Sequence, residues 1–134
     1  MAAKDFDFTT QSTKDIEDKQ AIVAIDNDAD IELIVKTLKA DGIRVLGKGK
    51  NGDHAMEMAR KHKMGTFFLD YDISELGSNA VLEKLKIKCP NIKVVVISKQ
   101  LNKEQVNDAK KRGVVGFLAK PLKDDAIKKI LTKL

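Results

Sequence analysis

The sequence has no tryptophan, one tyrosine, two prolines and one cysteine, and aromatic residues reach only 4%. With Cys89 as the sole thiol no internal disulfide can form, and no second cysteine or neighbouring histidine suggests a metal site, so a reducing cytoplasm is expected. No apolar run approaches the roughly 20 residues of a membrane span. The N-terminus, with Lys4, Asp5 and Asp7, lacks the apolar stretch of a signal peptide. What is present is the composition of a globular protein: 43% hydrophobic and 34% charged residues over 134 positions, enough for one domain with its own core.

Charge is unevenly spread. Residues 1–80 hold 11 basic and 15 acidic side chains, whereas residues 81–134 hold 14 and 5. Such a basic half can signal nucleic acid. The scarcity of aromatics, and the lack of an arginine-rich helix or helix-turn-helix signature, point instead to a solvated lysine face or an acidic protein partner. Neither nucleic-acid binding nor membrane insertion is expected.

Residues 1–19 show neither helical nor alternating periodicity and read as a polar tail carrying Phe6 and Phe8. Beyond them, short runs rich in Val, Ile or Phe alternate with longer segments of helical period. The runs 21–25, 43–46, 66–69, 94–97 and 114–118 are too short for helices and read as buried strands. Between them, Ile31, Ile34, Val35 and Leu38 share one helical face behind Asp28 as the expected cap, and that helix stops near Gly42. Asn51 and Gly52 suggest a turn before a helix with Ala55, Met56 and Ala59. Val81, Leu82 and Leu85 face a third helix that Pro90 ends. Asn102 and Gln105 form a capping box for a fourth, closed by Gly113. Ile127, Ile130, Leu131 and Leu134 face inward from the last, whose Asp124 and Asp125 precede Lys128 and Lys129 as the helix dipole favours. His54, His62, Met56, Met58 and Met64 read as core filler or surface residues.

The order predicts an α/β fold: a five-stranded parallel sheet, doubly wound as (βα)5, spanning residues 20–134. In such sheets the ligand site lies at the carboxyl ends of the strands. There the sequence places Asp26, Asn27 and Asp28 after the first strand, Asp70 and Asp72 at the third, Ser98 at the fourth and Lys120 after the fifth. Crowded carboxylates are tolerated where a cation binds among them or an ammonium pairs with one, and hard oxygen donors favour Mg²⁺. A carboxylate, a cation, a hydroxyl and an ammonium suit phosphoryl transfer to an aspartate.

The stretches AIVAIDND, TFFLDYDISEL, VVVISK and GFLAKP, in this order, resemble the receiver domain of bacterial two-component response regulators, a flavodoxin-like fold. The resemblance implies that Asp70 is the phosphoacceptor, Ser98 the switch hydroxyl, Lys120 the lysine that pairs with the phosphoryl group, and Phe117 the aromatic that turns with Ser98. It also implies Mg²⁺ held by Asp26, Asn27, Asp70 and the main-chain carbonyl of Asp72. The implied function is that of a stand-alone, chemotaxis-regulator-like response regulator, not an enzyme. It would take phosphate from a histidine kinase or phosphotransfer protein and bind a downstream target through its fourth helix, fifth strand and fifth helix, as a monomer or weak homodimer.

Three positions depart from the family pattern. Asn27 replaces a usual carboxylate, Lys99 stands where a small residue is usual, and Ser74 and Ser78 replace a loop proline and glycine. These departures keep open a degenerate receiver that docks without phosphate. Asp70-Tyr71-Asp72 also resembles the nucleophile motif of haloacid-dehalogenase-type phosphatases, although that motif belongs to a first strand and here follows the third.

Overall fold

The computed structural model describes residues 19–49, 52–62, 65–71, 78–99 and 102–133. Phe6, Phe8, Asn51, Met64, Asp72, Ser74 and Leu134 lie outside the described residues, as do the side chains of His54, Ala55, His62, Ser78 and Val81. Strands and helices alternate as β1 (Gln20–Ala24), α1 (Asp28–Ala40), β2 (Arg44–Gly49), α2 (Gly52–His62), β3 (Gly65–Asp70), α3 (Ser78–Lys88), β4 (Ile92–Ser98), α4 (Lys103–Lys111), β5 (Val114–Ala119) and α5 (Asp124–Leu131). The strands form one parallel sheet in the order β2-β1-β3-β4-β5.

Doubly wound packing follows from the side-chain alternation of each strand. Ile22, Ala24, Phe67, Leu69, Val94 and Val96 face one core, where α2, α3 and α4 contribute Met56, Ala59, Leu82, Leu85 and Ala109. The residues between them, Ala21, Val23, Phe68, Val95 and Ile97, face the other, covered by Ile34 and Leu38 of α1 and Ile127 of α5. Central strands buried on both sides need apolar residues at every position. That requirement produces the unbroken runs seen in β1, β3 and β4.

Four of the strands extend one to three residues beyond the apolar runs, because main-chain pairing continues past the last bulky side chain. β2 runs on through Gly47, Lys48 and Gly49, and β4 starts at Ile92. Two expectations change. The cap of α1 is Asn27, not Asp28: the Asn27 backbone is extended and its Oδ1 accepts the Asp30 N–H at 3.1 Å, while Asp28 is the first helical residue. Asn and Asp cap about equally well, so residue type alone does not choose between neighbours. Gly52 likewise belongs to α2 and not to a turn before it.

The other ends follow the sequence. Asn102 and Gln105 make the reciprocal capping box of α4, and α3 stops before Pro90. One cross-fold bond joins α1 to α5: Thr37 Oγ1 lies 2.6 Å from Asp124 Oδ1 and 2.9 Å from the Leu33 carbonyl. This bond from Thr37, aided by Lys128, holds the Asp124 carboxyl below its ordinary value.

Gly65 opens β3 at φ +106°, and a Cβ there would stand 2.5 Å from the Gln20 carbonyl oxygen. Gly42, at φ +80°, has open space around it. Gly65→Ala should therefore combine backbone strain of about 1–3 kcal/mol with a clash in the β1–β3 pairing, whereas Gly42→Ala meets only the strain. Urea denaturation should show the larger loss for Gly65→Ala. Equal losses would mean that the approach to Gln20 does not limit this corner.

Candidate functional site

Strand register sets the site. Ala24 pairs with Leu69, Asp70 with Ile97, and Ser98 with Ala119, so Asp70 closes β3 while Ser98 stands one residue further along β4. Past the ends of β3 and β5 the ladder continues through main-chain bonds: Tyr71 N–H donates to Ile97 O at 2.7 Å, and Lys120 N–H to Ser98 O at 2.9 Å. The second of these fixes where the Lys120 side chain begins.

Asp70 has no exposed surface, and Ser98 is 4% exposed. Burying a carboxylate is costly unless an opposite charge and hydrogen bonds replace its water. Lys120 supplies that charge, its Nζ 2.7 Å from Asp70 Oδ2 with only 11% of the lysine side chain exposed. An ammonium with three donors on a flexible stem can hold a carboxylate and later share a proton with a second anion beside it.

Asp26 and Asn27 are exposed just past the end of β1, the strand beside β3. The Asn27 oxygen already caps α1, although a carbonyl oxygen has a second lone pair. Among the described residues no three His, Cys, Asp or Glu side chains gather as a metal cage. Mg²⁺ does not ask for one. It keeps several waters and takes one or two carboxylates with phosphate oxygens, so the hard donors Asp26 and Asp70 fit it in kind.

The structure thus brings Asp70, Ser98 and Lys120 together at the ends of β3, β4 and β5 and places Asp26 and Asn27 past the end of neighbouring β1. Phe117 is half-buried in β5, against the core that α2, α3 and α4 cover.

One neighbour escaped the sequence reading. Tyr71, directly after Asp70, packs half-buried against the same core as Phe117. Burial pushes its phenol above the ordinary 10.0, the Asp108 charge adds to this, and Arg112 opposes it. Arg112, the C-cap of α4, donates to Glu83 of α3 and, at 3.3 Å, to Asp108. Tyr71 thus lies within reach of the charges near the C-terminal end of α4. The available signal was the chain's only tyrosine standing beside the candidate phosphoacceptor.

A phenol raised by burial favours the protonated form in the fold. Its contribution to stability is full below the ordinary pKa of 10.0 and is lost as pH rises through the higher folded value. With one tyrosine and no tryptophan, tyrosinate absorbance reports this group alone. The native protein should titrate above 10.0 and the urea-unfolded chain near it. Coincident curves would place Tyr71 in water.

The family model described as response regulator receiver domain matches residues 21–132. The chain is 30% identical over 112 residues to the nitrate/nitrite response regulator protein NarL of Escherichia coli (strain K12), covering 82% of this chain and 52% of that protein. Thus it spans about half the length of that relative. It is 29% identical over 116 residues to the chemotaxis protein CheY of Thermotoga maritima, covering 84% of this chain and 95% of that one. Among solved structures, the REC domain of AraT, a response regulator from Geobacillus stearothermophilus, superposes with a TM-score of 0.78 at 19% identity, over 87% of this chain and 92% of that one. The sheet order, the aspartate buried at the end of its central strand and a match over nearly the whole described fold agree: the chain belongs to the response regulator receiver domain family of two-component systems.

Proposed function

We propose that this protein is a phosphorelay response regulator: Asp70 accepts a phosphoryl group from a phosphohistidine of a histidine kinase or phosphotransfer protein, and the phosphorylated domain binds a downstream target. The observation that carries this reading is the Lys120 Nζ at 2.7 Å from a fully buried Asp70. A carboxylate oxygen of Asp70 attacks phosphorus, the phosphorus–nitrogen bond breaks, and the imidazole leaves with its electron pair and takes a proton. Lys120 offsets the charge gathering on the phosphoryl oxygens. Ser98, one residue further along the next strand, donates its hydroxyl to one of them. That capture draws the β4–α4 connection inward and gives Phe117 room to turn, biasing a two-state equilibrium.

Asp26, Asp70 and the Asp72 carbonyl would hold Mg²⁺, with Asn27 offering its spare lone pair. When bound, the cation would neutralise phosphoryl charge. Lys103, Lys110, Lys111, Lys123, Lys128 and Lys129, all exposed on α4, α5 and the turn before α5, suit an acidic target. The protein works in the cytoplasm, where Cys89 stays reduced. A second reading, docking without phosphate, draws on the engagement of Asn27 as a helix cap.

Treatment with acetyl phosphate and Mg²⁺ should add one phosphoryl group, read by intact-mass spectrometry, and EDTA or Asp70→Asn should abolish the gain. Ser98→Ala should still be phosphorylated while target binding weakens. No mass gain in the wild type, together with no beryllofluoride-induced NMR shifts near Asp70, would hand the protein to the docking reading.

Asn27→Asp should leave the α1 cap in place, since both residues cap well, and should tighten Mg²⁺ binding by restoring a charge. Titration followed by Tyr71 fluorescence measures this. Equal affinities would remove residue 27 from the metal site.

A further inference from the structure

At the opening ends of the strands, the edge of the sheet away from Asp70, a cavity of about 380 Å³ lies by the C-terminal ends of α1 and α5. Its walls include Ala21, Ile43, Thr66, Phe68 and Leu131. One row of the sheet passes through it: Ala21 pairs with Thr66, and Thr66 with Lys93. All three side chains therefore stand on the face that α1 and α5 cover, as Phe68 does two residues along β3. The apolar core of this face is incomplete here, for Ile43 and Leu131 pack against it while only half-buried. The volume is at the small end of ligand pockets, which run about 300–1,000 Å³, and suits one or two large side chains rather than a cofactor.

The chain enters the sheet at the cavity wall. Lys19 lines the cavity, and its carbonyl accepts the Arg44 N–H at 2.8 Å, so residues 1–18, outside the described residues, are tethered at this point. That polar segment carries Phe6 and Phe8, two of the chain's five phenylalanines. The other three are in the fold, Phe67 and Phe68 fully buried and Phe117 half-buried. Residues 9–18 extend to about 35 Å at most, and a random chain of that length averages about 17 Å end to end, so both rings remain within reach of the cavity. Such a tether acts as a local concentration of the order of millimolar, which populates even a weak contact.

The segment Asp5-Phe6-Asp7-Phe8 alternates residue by residue. In an extended stretch alternate side chains point to opposite sides, so the rings can turn to the cavity while the carboxylates turn to its mouth. The charged residues lining the cavity are Lys19, Lys93 and Asp41, all exposed, two cations to one anion. A lysine at a rim lends its apolar stem to the wall and keeps its ammonium in water, where an aspartate can meet it. The far edge of the sheet, with Asp26 and Asp28 exposed, matches the same segment less well.

We infer that this cavity is the docking site of the chain's own segment Asp5–Phe8, which seats phenylalanine rings against Ile43, Phe68 and Leu131 and brings Asp5 and Asp7 near Lys19 and Lys93. The rings supply the apolar surface that Ile43 and Leu131 lack, and the carboxylates set which way the segment lies. The contact straps residues 1–18 across the ends of α1 and α5. It lies at the opposite edge of the sheet from Asp70 and does not depend on phosphorylation there.

The test uses the full chain. Because the sequence has no tryptophan, Phe8→Trp places a single indole in the segment. Its emission should be blue-shifted, and acrylamide should quench it less than in the urea-unfolded chain. Adding Leu131→Glu, at a half-buried position in the last turn of α5, should return the emission to that of an indole in water while circular dichroism stays unchanged. Independently, Phe6→Ala with Phe8→Ala, outside the described fold, should shift the amide signals of Ala21, Ile43, Thr66 and Leu131 relative to the wild type. Asp5→Lys with Asp7→Lys should move the same set. None of these readings should change on dilution, as docking within one chain requires. The inference is overturned if the indole emits as in water, if the alanine pair moves none of these amides or moves others instead, or if Leu134→Ala moves them and the alanine pair does not. Loss of the blue shift on dilution would overturn it as well, by assigning the contact to a second copy.

Discussion

The fold is organised around one buried charge. Asp70 has no exposed surface, and its Oδ2 meets Lys120 Nζ at 2.7 Å across 50 residues of sequence. Removing one member of a buried pair typically costs about 3–5 kcal/mol because the other is left uncompensated. The pair can form only if β3 and β5 flank β4, as the sheet order provides. Lys120 must also leave the sheet directly beside Ser98, which its N–H bond to the Ser98 carbonyl ensures. Packing the apolar strands thus delivers three polar side chains to one edge. Those side chains in turn require the register that the apolar residues set.

From that edge a second set of polar contacts runs along the outside of the domain. Tyr71 follows Asp70 and stands near Asp108 and Arg112, and Arg112 bridges α4 to Glu83 on α3. Ion pairs this exposed contribute little to stability. Their consequence is positional, since the C-terminal end of α4 is tied to the neighbouring helix α3.

How much of this was legible depended on the range of the interaction. Strands buried on both faces announce themselves as runs such as Ile22–Ile25 and Val94–Ile97, and the end-of-strand rule then points to Asp70, Ser98 and Lys120 before any contact is known. Helix ends were legible where a reciprocal signal existed, as with Asn102 and Gln105. They were ambiguous where two good capping residues adjoined, as with Asn27 and Asp28. Contacts between distant segments leave no local trace: Thr37 meets Asp124 across 87 residues, and Arg112 meets Glu83 across 29. The main-chain carbonyl assigned to Asp72 is a third kind, for it depends on loop conformation and not on residue type.

Asn27 shows how one position can serve the fold and the site in different terms. As a cap it needs only a short side-chain oxygen aimed at the Asp30 N–H, which asparagine supplies as well as aspartate. Toward a hard cation, the amide keeps an oxygen donor but gives up a full charge and with it the Coulomb attraction that a carboxylate would add. A neutral residue 27 therefore keeps the helix start it defines while placing one negative charge fewer beside Asp26 at the end of β1.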